Sequence, residues 1–391
     1  MGDMSADEPF LSFFLPDIGD AEIAAVVEVL RSGWLTTGAK TKEFERLFAE
    51  RLGVKHAVAV NSATAALHLA LEAIDIRPGD EVLVPTMTFA STAEVVAYLG
   101  AKPVLVDCLE DTLCIDPAAA EAAVTPRTRA MMPVHYAGQP CDMEPLLATA
   151  ERHGIKVIED AAHSLPAAYR GRTIGTLGDA TCFSFYANKT ITTGEGGMLV
   201  TSDDALADRA RIMSLHGISR DAWKRFTAEG SWYYEILRPG FKYNLTDIAA
   251  ALGIAQLARC DEFWQRRSAL ARRYDELFAE VAELTRPTTR DDVSHAWHLY
   301  VVKLNLDQLR ITRNQFIDEL KKRKIGHSVH YTPLHMHPYY RETYGYRPGD
   351  LPVAQRTYER IVSLPLFPKM TDAEQDRVVR AVREILAENR R

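Results

Sequence analysis

Residues 183–197 read Phe183-Ser184-Phe185-Tyr186-Ala187-Asn188-Lys189-Thr190-Ile191-Thr192-Thr193-Gly194-Glu195-Gly196-Gly197. An aromatic-rich run of strand character leads into one lysine, and three glycines follow closely. A lone lysine is ordinarily a surface residue. This one follows a buried run, and the glycines let the backbone pack tightly around it. A lysine desolvated in that way has a lowered pKa and can form a Schiff base with a carbonyl.

Working back from Lys189, residues 156–164 read Lys156-Val157-Ile158-Glu159-Asp160-Ala161-Ala162-His163-Ser164. Here an apolar strand ends in two carboxylates and a histidine. A helix-capping Asp would explain the pattern. So would an acid at the carboxyl end of a strand, facing a cleft. Further back, Asn61-Ser62-Ala63-Thr64-Ala65-Ala66-Leu67 is a polar turn between a strand and a helix. It reads either as simple capping or as an anion seat, because free N–H groups and the positive helix end face outward there.

Apolar runs of strand character fall at 56–60, 81–85, 103–107, 129–135, 156–160, 180–185 and 197–201. Helical spacing occupies 63–73, 91–99, 117–124 and 143–153 between them. This alternation predicts an α/β fold with a mainly parallel sheet covered on both faces. Two helices precede the first strand, at 20–31 and 41–52, with Thr41 as the expected N-cap of the second. Beyond Asn244 the pattern changes. A long helix is expected over 246–281, a strand over 295–304, and helices over 312–324 and 371–389. Residues 1–255 therefore read as an N-terminal segment with a large domain, and 256–391 as a smaller α+β domain joined by the long helix.

The 391 residues are 47% hydrophobic and 25% charged, with a formal net charge of -7. No basic surplus points to nucleic acid. The cluster Lys321-Lys322-Arg323-Lys324 reads as a solvated helix C-terminus. The five cysteines lack metal-ligand spacing and read as free thiols in a reducing compartment. The acidic start, residues 1–8, does not read as a signal peptide, and no run approaches the ~20 apolar residues needed to cross a bilayer. A cytoplasmic protein without membrane or nucleic-acid partners is expected. His335 and His337 suggest metal ligands at first sight. No carboxylate or cysteine nearby completes a set, so no metal is expected.

Taken together, segments 61–67, 85–89, 133–138, 159–163, 184–197 and 242–247 resemble the DegT/DnrJ/EryC1/StrS family. These are sugar aminotransferases of the aspartate-aminotransferase fold that depend on pyridoxal 5′-phosphate (PLP), alternating with pyridoxamine 5′-phosphate. The resemblance runs from about residue 15 to about 367. It implies a large domain with a seven-stranded sheet and a smaller C-terminal domain. Lys189 would carry the cofactor, Asp160 would pair with its ring nitrogen, and His163 would sit near its O3′. Phe89 would stack on the ring. Thr64, the backbone of Ala65, and Ser184 would hold the phosphate. Asn244 would reach the phosphate of a second subunit, making a homodimer with shared active sites. Trp34, Thr36, Lys242, His330 and Tyr331 are candidates for the substrate cleft, whereas His298 and His337 read as packing. The partners implied are L-glutamate, leaving as 2-oxoglutarate, and a nucleotide-linked keto sugar, either a 4-keto-6-deoxy sugar or a 4-keto pentose.

Three rivals fare worse. A keto-sugar dehydratase of the same fold would replace the cofactor lysine with histidine, but Lys189 is intact. A sugar-nucleotide oxidoreductase would show Gly-x-Gly-x-x-Gly after an early strand, whereas Asn-Ser-Ala-Thr-Ala-Ala stands there. A sensor would need a DNA-binding helix-turn-helix, for which no segment is spare.

Overall fold

Within each central strand, neighbouring apolar side chains enter opposite cores, as the period of two in a sheet covered on both faces requires. Val82 and Val84 join one core and Leu83 the other; Ile158 and Val157 divide in the same way, as do Cys182 and Phe183. The computed structural model describes residues 8–219 and 233–391. Of the acidic stretch 1–8, only Glu8 falls within them, where it pairs with Arg377 at 2.7 Å.

The main sheet has seven strands, in the spatial order His56–Val60, Gly197–Thr201, Ala180–Ser184, Lys156–Asp160, Thr128–Met131, Glu81–Pro85, Lys102–Val106. Gly197–Thr201 alone runs against the rest, pairing antiparallel with both neighbours. The mainly parallel sheet expected from the alternation is therefore present. Val60, Pro85, Asp160 and Ser184 each close a strand of common direction, so the residues that follow them collect along one edge.

A separate core further along the chain packs Tyr274, Phe278, Tyr300, Phe316 and Val378 against one another. Its sheet has three antiparallel strands, Leu284–Thr285, Tyr300–Leu304 and Ile361–Leu364. Leu11 belongs to the same core, and its carbonyl accepts from the N–H of Gly326 at 2.7 Å. The start of the chain thus packs with residues far beyond 256.

Several local expectations need correction. Thr41 is not an N-cap: the helix is Ala39–Leu52, and the Asp247 carboxylate serves its N-terminus from a distance. Asp247 accepts from the N–H groups of Gly38 (2.7 Å), Lys40 (3.1 Å) and Thr41 (2.9 Å), and from the Thr41 hydroxyl (2.7 Å). A carboxylate there complements the positive helix end. The single long helix is instead two, Asp247–Ala258 and Cys260–Leu277, turning at Arg259. Arg259 forms ion pairs with Asp17, Glu22 and Glu262. The strand expected at 295–304 begins only at Tyr300, because Trp297 takes a left-handed backbone (φ 53°). That expected at 129–135 ends at Met131, ahead of a turn where Ala137 has φ 56°. All five cysteines are buried and unpaired. No described helix is long and apolar enough to cross a membrane.

Candidate active site

Three strand ends and one helix start meet around a cavity of about 470 Å³. Its lining includes Ser62, Ala63, Thr64, Phe89, Asp160, His163, Ser184, Lys189, His330 and Tyr331.

The helix Ala63–Ala73 begins directly after the strand His56–Val60. Ser62 is its N-cap, and the Ser62 hydroxyl accepts from the N–H of Ala65 at 3.1 Å. That N–H is therefore engaged, and Ala65 is buried away from the lining. Of the expected anion seat, Thr64 lines the cleft together with Ala63, and their N–H groups precede the helix's own ladder. Gly197 lies hard against this turn. A Cβ on Gly197 would meet the carbonyl carbon of Ser62 at 2.5 Å and the nitrogen of Ala63 at 2.6 Å.

Asp160 is buried at the end of its strand. One carboxylate oxygen accepts from the Thr92 hydroxyl at 2.8 Å, the other from the N–H of Ala162 at 3.1 Å. Burial pushes its pKa up, offset in part by those two hydrogen bonds and by the charge of Lys189. Such an acid favours a cationic partner. Behind it, the fully buried Glu159 holds Nε2 of His135 at 2.9 Å and the Thr181 hydroxyl at 2.8 Å, a structural layer under the site.

Lys189 follows the strand Ala180–Ser184 by five residues (189 − 184). Burial lowers its pKa to about 8, with Asp160 pulling the other way and Arg267 adding to the depression. It keeps some solvent contact from the cleft. A free amine is therefore within reach at neutral pH, as Schiff-base formation requires.

His163 is buried and accepts at Nδ1 from the N–H of Ala137 at 3.2 Å. Burial, then the charges of Lys189 and His330, hold its pKa well below the ordinary value, so the ring is neutral. The Phe89 ring is 59% exposed although it lines the cavity, and its centroid lies 5.9 Å from that of Tyr331. An aromatic face left open in a cleft suits a planar ring laid against it.

Not every expected residue gathers here. Trp34 borders a different cavity with Glu28, Lys40 and Asp247, and its indole N–H donates to the Thr37 carbonyl at 3.2 Å. Thr36 is exposed in the same loop, where its carbonyl accepts from the N–H of Asp247. Lys242 is exposed and donates to Asn244, and Asn244 donates to the Thr37 hydroxyl, both at 2.7 Å. None of these four borders the cleft of their own chain. Conversely, His298 was expected only to pack, yet its Nε2 lies 3.5 Å from Nζ of Lys189. No sequence signal joins positions 109 residues apart.

What such a cleft can hold is limited. It offers an amine of depressed pKa, a buried acid, an open aromatic face and a helix N-terminus for an anion, in a volume suited to a small cofactor. PLP has an aldehyde, a basic ring nitrogen, a flat ring and a phosphate to match them, so fold and cleft define a PLP-dependent transferase. Comparison with known proteins narrows this class. The model of the DegT/DnrJ/EryC1/StrS aminotransferase family matches residues 16–383. The spore coat polysaccharide biosynthesis protein SpsC of Bacillus subtilis is 52% identical over 378 residues, 96% of this chain and 97% of SpsC. Among solved structures, Spr1654 of Streptococcus pneumoniae in its PLP form is 36% identical with a TM-score of 0.91, covering 97% of this chain and 99% of that one. DesV of S. venezuelae is 37% identical with a TM-score of 0.88, covering 97% and 99%. The chain belongs to this family of PLP-dependent sugar aminotransferases.

Proposed function

We propose that the chain transfers the amino group of L-glutamate, which leaves as 2-oxoglutarate, to a keto sugar linked to a nucleotide. The acceptor is a 4-keto-6-deoxy sugar or a 4-keto pentose, and the product serves amino-sugar and surface-glycan synthesis, lipopolysaccharide included. The observation that carries this reading is the placement of Lys189, Asp160 and the start of helix Ala63–Ala73 around one cavity. SpsC, the relative with a polysaccharide role in its name, supports the glycan setting. The five unpaired cysteines support a reducing, cytoplasmic location.

Lys189 would hold the cofactor, Asp160 would face its ring nitrogen, and Ser184 with Ala63 and Thr64 would take its phosphate. PLP, when bound, supplies an aldehyde that links to amines and a ring that accepts electron density. The protein does the rest. Lys189 Nζ, with its pKa depressed to about 8, would take a proton from the carbon bearing the amino nitrogen and later return one, as general base and acid. Asp160, held by Thr92 and Ala162, would favour a protonated ring nitrogen through its negative charge. Phe89 would lie against the cofactor ring, and Tyr331 borders the cleft where a sugar would enter, with the exposed Tyr186 beside it. Asn244 lies off its own cleft, which supports its service to a partner subunit in a homodimer.

The test is a panel of keto sugars, free and nucleotide-linked, incubated with glutamate while 2-oxoglutarate is measured. Formation with a nucleotide-linked member, and not with its free sugar, is expected. Equal rates for both would remove the nucleotide from the reading.

A further inference from the structure

His298 has no assigned role above, yet it is 3% exposed with Nε2 facing Lys189 at 3.5 Å. Its other ring nitrogen, Nδ1, is buried without a hydrogen-bond partner among the described residues. Nε2 is thus the ring nitrogen that has a polar side chain beside it.

The backbone beside it is strained and held firmly. Trp297 occupies the left-handed region, with φ 53°, which is costly for a bulky side chain. Its N–H donates to Nδ1 of His295 at 2.8 Å. Arg267, 2% exposed, donates through one nitrogen to the carbonyls of Trp297 (3.4 Å), His298 (3.2 Å) and Leu366 (2.8 Å). The N–H groups of Ala296 and Leu299 donate to the carbonyls of Gly138 and Ala137 at 2.8 and 3.1 Å. A Cβ on Gly138 would stand 3.0 Å from the nitrogens of both Trp297 and His298. Six hydrogen bonds and one glycine thus fix where the His298 ring points.

The geometry points to His298 as a positioning residue for Lys189, its neutral imidazole accepting a hydrogen bond at Nε2 from the lysine ammonium and fixing the direction of that amine whenever the cofactor does not hold it. This rests on Lys189 being the cofactor lysine. Burial, and then the charge of Lys189, keeps the His298 ring well below its ordinary pKa, so it orients the amine without competing for its proton. A neutral ring accepting at Nε2 carries its hydrogen on Nδ1. Around Lys189, Asp160 favours the ammonium and Arg267 opposes it, His163 and His330 are held neutral, and Tyr331 and Glu195 line the same cleft. His298 therefore acts on Lys189 through the hydrogen bond and not through charge.

The test uses the full chain freed of cofactor. Lys189 is trace-labelled with acetic anhydride across pH and read by peptide mass spectrometry. The wild-type midpoint should fall near 8. His298→Leu should lower it by about one unit, raising labelling at pH 7 about fivefold. His298→Gln, which offers a carbonyl oxygen at similar reach, should restore the midpoint. An unchanged midpoint in His298→Leu, or equal shifts in both variants, overturns the proposal. In wild-type protein, nitrogen NMR of the histidines should find His298 with its proton on Nδ1; a proton on Nε2 also overturns it. Borohydride fixation of added PLP on wild-type Lys189 serves as the control. Its failure removes the cofactor-lysine reading, whereas fixation with an unmoved midpoint removes only the role of His298.

Discussion

The hydroxyl of Tyr331 lies 3.0 Å from Nε2 of His163, while the N–H of Ala137 points at the other ring nitrogen, 3.2 Å away. A backbone N–H can only donate, so Nδ1 must accept, and the neutral ring carries its proton on Nε2. His163 therefore donates to the Tyr331 oxygen. One local hydrogen bond at Ala137 thus sets the polarity of a contact between residues 168 positions apart.

Tyr331→Phe should leave Nε2 of His163 without its acceptor. A buried donor left unpaired costs about 1–3 kcal/mol. Thermal melting should show that loss, and turnover should fall roughly tenfold while PLP still reduces onto Lys189 with borohydride. Unchanged stability and unchanged turnover would refute the contact.

Asp160→Asn keeps the shape and removes the charge. A neighbouring opposite charge moves a pKa by about 1–3 units, so turnover should drop about 10- to 1000-fold. Cofactor fixation on Lys189 should survive. Steady-state kinetics with glutamate would check this, and retained turnover would take Asp160 out of the mechanism.

Lys189 opposes folding in the cofactor-free protein. Its folded value, about 8, lies below the ordinary 10.5, so between these values the unfolded chain binds more protons than the folded one. The penalty is complete below pH 8 and fades as pH rises from about 8 to about 10.5. Lys189→Met should therefore be more stable than wild type at pH 7, by at most about 3 kcal/mol, and the gap should close by pH 10.5. Denaturant titrations at several pH values would show it; a gap independent of pH would contradict the argument.

Gly197→Ala forces a methyl into the Ser62–Ala63 backbone at 2.5–2.6 Å. Overpacking of this kind costs about 1–3 kcal/mol. The displaced turn carries the proposed phosphate seat, so PLP should also dissociate more readily on dialysis. Normal retention with normal melting would show that the turn yields freely.

Asn244→Ala and Lys189→Ala should each be inactive or nearly so as homodimers. If sites are shared, mixing the two should restore activity toward one quarter of wild type, since one intact site then forms in each mixed pair and random exchange makes about half the pairs mixed. No recovery on mixing, despite exchange of subunits, would place Asn244 in its own chain's service.

The parts of the site that lie near one another along the chain were legible. Asp160 closes an apolar strand, Lys189 follows another, and glycines crowd the turn after it. Trp34, Thr36 and Lys242 lie off the cleft of their own chain, where the loop at 33–38 packs on residues 242–247 through Thr37 and Asp247, an arrangement with no local signal. The turn at Arg259 carries no local signal, because an arginine is a good helix former by itself. Its acids, Asp17 and Glu22, sit over 230 positions earlier.

Local pattern by itself determined the mainly parallel sheet, the ends of the strands that close at Val60, Pro85 and Asp160, and the two groups proposed for the chemistry. Each depends on apolar periodicity and turn residues within a few positions, which a chain carries wherever it goes. Tertiary structure alone decided which nitrogen of His163 bears the proton and that His298 faces Lys189. Those are properties of atoms brought within hydrogen-bond reach by packing, and spacing along a chain carries no record of such distances.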